Sequence, residues 1–264
     1  MIFAKKSLGQ NFLKSEKALK QIVEEGKLSH NETVLEIGPG LGALTQKLIQ
    51  KGVKVIAVEK DDALFSVLKE KFAEEIKKGN LTLIHEDIIK FDANFIKDNY
   101  KLIANIPYNI TGRILEKFFS LSHKPTKIVV LVQKEVAQRI VAKDGKESVL
   151  SISVKVFGTP KYVDTVFAGS FVPAPKVDSA ILAIDSISKK FFTDINEQLF
   201  FKVLKAGFSS KRKKLSSNLS IFAPKEEIEY FLKEMGVDPS IRPENITPQN
   251  WKIIAQKIIS FGII

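Results

Sequence analysis

Three glycines follow the first predicted strand of the chain at positions that suit the binding of a nucleoside. Gly38, Gly40 and Gly42 lie between the apolar run TVLEI and the helical pattern ALTQKLIQKG. Glycines at such a junction let the backbone turn sharply and approach a ligand closely. Glu59 ends the second predicted strand about 20 residues further on, where a carboxylate can bind the hydroxyl groups of a ribose. Together these features predict a nucleoside cofactor, whereas the glycines alone would also fit a tight turn.

Two classes of nucleoside cofactor, dinucleotides and S-adenosylmethionine, compete for this loop. The spacing is G-x-G-x-G, not the G-x-G-x-x-G of dinucleotide sites, and Pro39 stiffens the turn. A dinucleotide would bring a pyrophosphate to the helix N-terminus, whereas S-adenosylmethionine brings a sulfonium cation, and Glu36 places a carboxylate near that end of the site. Asp87 ends the third predicted strand, where it can accept the amino group of adenine or merely cap a helix. Ile88 beside it is placed to pack on the adenine ring.

The ends of four successive predicted strands carry Gly38, Glu59, Asp87 and Asn105. The carboxyl ends of parallel strands form one edge, at which open α/β sheets bind their ligands. This arrangement favours a methyltransferase. A dehydrogenase is disfavoured by the glycine spacing and by the lack of a residue set for hydride transfer.

The tetrapeptide NIPY, residues 105 to 108, resembles the N-[ILP]-P-Y element of enzymes that methylate the amino group of adenine. That nitrogen is a poor nucleophile because its lone pair is delocalised into the ring. The Asn105 side-chain oxygen and the Ile106 carbonyl are expected to accept its N–H bonds and so free the lone pair. Pro107 fixes the backbone, and Tyr108 offers a ring face to an extruded base, worth roughly 1–3 kcal/mol. Transfer is then an in-line displacement that depends on positioning.

A second aromatic residue near two prolines is a candidate for the other face of the base. Phe171 begins the stretch FVPAPKVDSAI, in which the prolines stiffen the loop. We expect Phe171 to stack opposite Tyr108. Taken alone, a phenylalanine beside prolines is more often packed inside its loop, just as NIPY alone would fit a turn with a surface tyrosine.

Short apolar runs alternate with helical segments along the first half of the chain, and this pattern predicts how the site is positioned. Continuous apolar strands separated by helices indicate a parallel sheet covered on both faces. The predicted strands are 33–37, 53–58, 81–85, 101–104 and 127–132.

The pattern changes after about residue 145. Residues 162–169 and 176–185 predict an antiparallel pair of strands, and the signal is helical from about residue 190. The segment 147–157 is ambiguous, because β-branched residues recur at a nearly helical spacing. Composition predicts two domains, residues 1–187 and 188–264.

The composition limits the chemistry and the partners. The 44% hydrophobic fraction is ample for a core, and the net charge of +11 favours a polyanionic partner. The chain has no cysteine, which excludes disulfides, thiolate zinc sites and cysteine nucleophiles, and its three histidines do not favour a metal cluster. No secretory signal and no apolar run near the roughly 20 residues of a membrane span are evident. We expect a cytoplasmic protein.

Seven motifs occur in the order and spacing of one family, which the chain therefore resembles: the bacterial small-subunit ribosomal RNA adenine dimethyltransferases (KsgA/RsmA). The motifs are GQNFL (9–13), LEIGPGLGALT (35–45), AVEKD (57–61), HEDIIKFD (85–92), NIPYNI (105–110), QKEVAQRI (133–140) and FVPAPKVDSAI (171–181).

The resemblance implies a fold and an activity. The expected fold is α/β, a Rossmann-like class I methyltransferase domain with a seven-stranded sheet whose last pair is antiparallel, followed by a small all-helical domain. The implied reaction is transfer of two methyl groups from S-adenosylmethionine to N6 of each of two adjacent adenines. These lie in the 3′-terminal hairpin of 16S rRNA, and modification occurs during small-subunit assembly.

The resemblance also assigns residues. It implies that GQNFL folds over the cofactor and that residues 147–157 are helical. By motif, the implied cofactor contacts are Asn11, Leu13, Gly38, Glu59, Asp87 and Asn105.

A basic stretch follows the predicted domain boundary and is a candidate for RNA binding. Residues 186–225 contain nine lysines or arginines and two acids. Exposed charge runs are often only solvated faces, but beside a base-flipping site we expect phosphate contacts. The predicted contacts are Lys211, Arg212, Lys213 and Lys214, with Arg113, Lys5 and Lys6 extending the track.

Two alternatives within the same fold remain open. One is an Erm-like enzyme that methylates one adenine of 23S rRNA; FVPAPKVDSAI and the long helical tail favour the small-subunit enzyme. The other is a non-catalytic ribosome-assembly or transcription factor, similar to the mitochondrial transcription factors B. The intact glycine loop and NIPY argue against lost catalysis. A monomer is expected.

Overall fold

The computed structural model describes residues 5, 8–142 and 146–261 and divides the chain into two compact units. The first unit comprises residues 1–138 and 158–187, and the second comprises residues 139–157 and 188–264. Residues 139–157, which the sequence pattern groups with the first 187 residues, thus belong to the second unit. Hydrogen bonds hold them there: the Glu147 N–H donates to the Glu244 carbonyl at 2.9 Å, and the Ser188 N–H donates to the Phe157 carbonyl at 2.8 Å.

The first unit is built on a sheet of seven strands in the order β4-β3-β2-β5-β6-β9-β7. The seven-stranded sheet implied by the family resemblance is confirmed. Strands β2 to β6 are parallel, and β9 pairs antiparallel with both β6 and β7. The strands are β1 Phe12–Leu13, β2 Thr33–Ile37, β3 Lys54–Glu59, β4 Leu81–His85, β5 Tyr100–Asn105, β6 Lys127–Gln133, β7 Thr159–Val166, β8 Phe171–Val172 and β9 Ser179–Asp185.

Helices connect these strands and form most of the second unit. In the first unit they are α1 Glu16–Glu25, α2 Ala43–Gln50, α3 Asp62–Lys71, α4 Ala73–Lys77 and α5 Thr111–Ser120, and α6 Lys134–Ile140 also begins there. In the second unit they are α7 Val149–Lys155, α8 Glu197–Gly207, α9 Leu215–Leu219, α10 Lys225–Glu234 and α11 Pro248–Ser260. Short 3₁₀ turns include Tyr108–Ile110 and Ala168–Ser170.

Burial explains why the central strands are continuous apolar runs. Every residue of β2 is buried, as are the first six residues of β6, because helices cover both faces of a parallel sheet. The strand ends at the carboxyl edge are therefore held by a rigid core.

A capping box decides the ambiguous segment 147–157 in favour of a helix. The Ser148 hydroxyl accepts from the Ser151 N–H at 3.1 Å, and the Ser151 hydroxyl accepts from the Ser148 N–H at 2.7 Å. These reciprocal bonds satisfy donors at the start of α7 that would otherwise lack partners. The helix implied by the family resemblance is confirmed.

A two-stranded antiparallel ladder, β1 with β8, ties two distant segments together. Phe12 pairs with Val172, and Leu13 pairs with Phe171. The segment GQNFL is thereby fixed to the loop FVPAP.

The core of the second unit forms around Trp251, which is fully buried and stacks on Phe208 with ring centroids 5.5 Å apart. Within residues 5, 8–142 and 146–261, every helix is too short or too polar to cross a membrane.

Candidate active site

A cavity of about 1000 Å³ opens at the carboxyl edge of β2, β3 and β5 in the first unit. The residues predicted to bind a cofactor and the NIPY tetrapeptide all line it. They are Asn11, Leu13, Glu36, Gly38, Gly40, Glu59, Asp87, Ile88, Asn105, Ile106, Pro107 and Tyr108. Arg113, on α5, lines the cavity as well.

The glycine loop takes a backbone conformation that residues with side chains rarely adopt. Gly38, Gly40 and Gly42 have φ of 61°, 60° and 78°. A Cβ at Gly40 would lie 3.0 Å from the Phe12 ring, whereas a Cβ at Gly38 would meet nothing within 4 Å. Gly40 therefore serves close packing against β1, and the loop leaves open space at Gly38.

Glu59 is oriented by backbone donors on two sides. Its carboxylate accepts from the Asp61 N–H at 2.8 Å and from the Gly40 N–H at 3.3 Å. Burial raises the pKa of Glu59, and these N–H groups oppose the shift. The side chain is thus a fixed acceptor between the glycine loop and the start of α3.

Glu36 is the most deeply buried acid of the cavity wall, at 1% exposure. Burial raises its pKa to about 8, and the nearby Glu59 charge adds to the shift. Its Oε2 atom and the Thr45 hydroxyl have no hydrogen-bond partner among the described residues. An unpartnered carboxyl oxygen on a cavity wall can accept a donor from a ligand or attract a cation.

Asp87 already has protein partners. Lys60 Nζ lies 2.8 Å from Oδ2, and the Ile89 N–H donates to Oδ1 at 2.9 Å. The hydrogen bond from Lys60 is the main reason that the pKa of Asp87 is lowered. Asp87 therefore closes a turn and caps no helix, since residues 88–90 form only a turn, and it also borders the cavity beside Ile88.

The NIPY tetrapeptide is held by contacts at both of its ends. Asn105 Nδ2 donates to the Asn11 carbonyl at 3.1 Å, and no described residue donates to Asn105 Oδ1. The Tyr108 hydroxyl lies 2.6 Å from the Ser179 hydroxyl, and burial raises the pKa of Tyr108. The amide oxygen of Asn105 is thereby available to a ligand, while its nitrogen is anchored.

Phe171 is placed differently from the expected stacking position. Its side chain is 2% exposed and belongs to the hydrophobic core, where β8 pairs with β1. The cavity wall is formed instead by Val172 and Pro173, the next two residues. The strand pairing turns Phe171 into the core, as the alternative of loop packing expected.

Several contacts at this site were not foreseen from the sequence. Ser179 holds Tyr108, Lys60 holds Asp87, and Lys5 forms an ion pair with Asp61 at 2.8 Å. Ser179 lies in the motif FVPAPKVDSAI, and Asp61 lies in AVEKD. These motifs point to the two residues but do not predict which side chains they contact. Lys5 thus has an acidic partner, its place in an RNA track stays a prediction, and Lys6 lies outside the described residues.

The predicted RNA-binding residues of the second unit form an exposed turn between α8 and α9. Lys211, Arg212, Lys213 and Lys214 are all exposed, and none forms an ion pair with a described residue. Their role in RNA binding stays a prediction.

The seven-stranded sheet, glycine loop and cavity at the carboxyl edge define a class I methyltransferase. The family described as "Ribosomal RNA adenine dimethylase" matches residues 2–259. The chain belongs to this family.

Curated relatives match this chain over most of its length and share one name. "Ribosomal RNA small subunit methyltransferase A" of Dehalococcoides mccartyi is 43% identical over 256 residues, which cover 94% of this chain and 86% of that protein. The protein of the same name from Mycoplasma mobile is 42% identical, with 95% and 96% covered.

Two crystal structures have the same fold. A dimethyladenosine transferase from Plasmodium falciparum is 28% identical with a TM-score of 0.82, covering 96% of this chain and 98% of that chain. The 23S rRNA methyltransferase ErmE is 23% identical with a TM-score of 0.76, covering 94% and 100%. At that identity the likeness to ErmE concerns the fold.

Proposed function

We infer that this protein is an enzyme that transfers methyl groups from S-adenosylmethionine to N6 of adenines in small-subunit rRNA, giving N6,N6-dimethyladenosine. One observation carries the inference: Asn105, with a free amide oxygen, lies on the wall of an acid-lined cavity in a chain of the adenine dimethylase family. We further propose two adjacent adenines of the 3′-terminal hairpin of 16S rRNA as the target, in the immature subunit, by a cytoplasmic monomer.

The cavity residues fit the methyl donor. When bound, S-adenosylmethionine supplies a methyl carbon activated by a sulfonium. Glu59, fixed by two backbone N–H groups, would accept the ribose hydroxyls. Asp87 and Ile88 would hold the adenine, and the unpartnered oxygen of Glu36 would face the cationic end.

Asn105 and Tyr108 would orient the target base. The free Oδ1 of Asn105 would accept an N–H of the exocyclic amine and so orient the nitrogen lone pair for methylation. The Tyr108 ring, fixed through Ser179, supports the base by stacking. The nitrogen then loses a proton to solvent, so the reaction requires positioning more than a strong base.

We expect Asn105→Ala to abolish methyl transfer while preserving RNA affinity, because it removes the acceptor of the amine without altering charge. The measurement is mass spectrometry of immature small subunits after incubation with labelled S-adenosylmethionine. Asn94→Ala, at an exposed position, is the matched control and should retain full transfer. Normal turnover by Asn105→Ala would contradict the assigned role.

The Erm-like alternative is separated by substrate. The enzyme should methylate a small-subunit precursor and leave free large-subunit RNA unmodified. The reverse preference would assign the chain to the 23S rRNA enzymes instead.

A further inference from the structure

An exposed aromatic ring lies at the same sheet edge as the NIPY tetrapeptide. Phe167 is 68% exposed and directly follows Val166, the last residue of β7. Val166 pairs with Ser179 of β9, and the Ser179 hydroxyl is the one that lies 2.6 Å from the Tyr108 hydroxyl. Phe167 is therefore one residue away from the strand pair that holds Tyr108.

The turn that presents Phe167 is fixed at several points. The Ala168 N–H donates to Asp178 Oδ1 at 3.0 Å, and the Ser170 N–H donates to the Phe167 carbonyl at 2.8 Å. The Lys134 N–H donates to the Asp178 carbonyl at 3.0 Å, which ties the turn to the end of β6. The ring is thus held in solvent by an ordered turn, so binding to it costs little backbone entropy.

Apolar and cationic side chains surround this turn. Val172 and Val177, on the same loop, are 53% and 42% exposed. A groove of about 420 Å³ beside the turn is lined by Lys134 and Lys176, together with the acids Glu135 and Asp178. The Asp178 carboxylate accepts from the Ala168 N–H of the turn, whereas neither lysine forms an ion pair with a described residue.

We propose that Phe167 stacks on the nucleotide that neighbours the target adenine, and that Lys134 and Lys176 bind its phosphates. An exposed aromatic ring flanked by lysines is the recognition chemistry of unpaired nucleic acid, because every base offers a π-face and every nucleotide a phosphate. Val172, on this loop, also lines the catalytic cavity, so the platform continues the active site. This inference rests on the proposed function.

The platform suits a substrate with two adjacent target adenines. While one adenine occupies the cavity, its neighbour cannot remain stacked on it and needs a support within one nucleotide. Phe167 supplies that support, so the second adenine waits there until the first is dimethylated.

The test compares Phe167→Ala with Phe95→Ala, which removes another exposed phenylalanine, 57% exposed in the connection from β4 to β5. The probe is a synthetic RNA hairpin with two adjacent adenines in its loop, and its affinity is measured by fluorescence anisotropy. We expect Phe167→Ala to weaken binding on the order of tenfold. Phe95→Ala should bind as the wild type does, and Phe167→Trp should retain affinity because it keeps a ring.

The lysines are tested by salt dependence. Lys134→Gln with Lys176→Gln should lower the slope of log affinity against log salt by about 1.4, for two phosphate contacts on a single strand. The affinity for S-adenosylmethionine should be unchanged both in Phe167→Ala and in the double lysine variant.

Two results would overturn the platform. One is unchanged hairpin affinity in Phe167→Ala; the other is a defect only with assembled small subunits, which would assign the ring to a protein contact. Failure of the proposed function is distinct, because the wild type itself would then not methylate small-subunit RNA.

Discussion

At the scale of single residues, burial of the Glu36 carboxyl lowers the stability of the fold. Its Oε2 atom has no partner, and burial raises its pKa from 4.5 to about 8. An unsatisfied buried polar atom destabilises a fold by about 1–3 kcal/mol. Because Glu36 lies on the cavity wall, its unpartnered oxygen can gain a partner when a cation binds in the cavity.

We expect Glu36→Gln to flatten the pH dependence of stability. The native state keeps Glu36 protonated up to about pH 8, whereas the unfolded state loses this proton near pH 4.5. This group therefore lowers the stability of the fold as the pH rises through that window. From pH 5 to pH 8 the wild type should lose about 2–4 kcal/mol more than Glu36→Gln. The measurement is urea unfolding across that range.

A matched control isolates this effect. Glu70→Gln changes an exposed glutamate and should follow the wild-type pH curve. Parallel curves for the wild type and Glu36→Gln would show that Glu36 is not held protonated in the fold.

Residue types and their spacing predicted much of the candidate site, but not the partners of each side chain. The predicted site residues between Glu36 and Tyr108 line one cavity, because the carboxyl ends of parallel strands share one edge of the sheet. The alternation of strands and helices along the chain is sufficient to predict this. The burial of Phe171 depends on its pairing with Leu13, about 160 positions earlier. The ion pairs of Asp87 and Asp61 likewise join segments whose approach no local pattern encodes.

At the scale of elements, the glycine loop and β1 constrain each other. Gly40 has a left-handed backbone, and a Cβ there would lie 3.0 Å from the Phe12 ring. Strain and crowding act together at this position. Any residue other than glycine would displace either the loop or the strand that borders the cavity.

We expect Gly40→Ala to lower both stability and cofactor affinity. The left-handed conformation costs a residue with a side chain about 1–2 kcal/mol, and the contact with Phe12 adds to it. Gly79→Ala is the matched control, because its φ is 78° and a Cβ there meets nothing within 4 Å. Thermal unfolding should show a loss in both variants, and calorimetry should show weaker S-adenosylmethionine binding only for Gly40→Ala. Equal affinities would refute the packing argument.

Predicting elements from the sequence succeeded where one local rule was sufficient. Apolar runs predicted the parallel strands, and the pair β7 and β9 is antiparallel as expected. For residues 147–157, β-branched side chains and near-helical spacing conflicted, and the capping serines decided the outcome. That the same segment belongs to the second unit depends on contacts with residues about 30 to 100 positions later, which periodicity does not contain.

At the scale of the whole molecule, the net charge of +11 predicts strongly salt-dependent RNA binding. We expect replacement of residues 211–214 by glutamine to lower the salt slope of RNA affinity by up to about 3.6, since each of four phosphate contacts contributes about 0.7–0.9. Cofactor affinity should not change. The measurement is RNA binding between low and moderate salt.

The matched control removes the same charge elsewhere. Lys51, Lys54, Lys69 and Lys77 are exposed in the first unit, and their replacement by glutamine should alter the slope less. Equal slopes for the two quadruple variants would mean that the salt dependence of RNA affinity reflects only net charge. Residues 211–214 would then make no specific contacts with RNA phosphates.

The ladder of β1 with β8 and the bond from Asn105 to the Asn11 carbonyl have a practical consequence for experiments on this enzyme. The segment Asn11 to Leu13 thus braces Asn105, the residue that we propose accepts the target amine. An affinity tag or fluorescent fusion attached shortly upstream would therefore act as an active-site perturbation, and assays are better built on proteins labelled elsewhere.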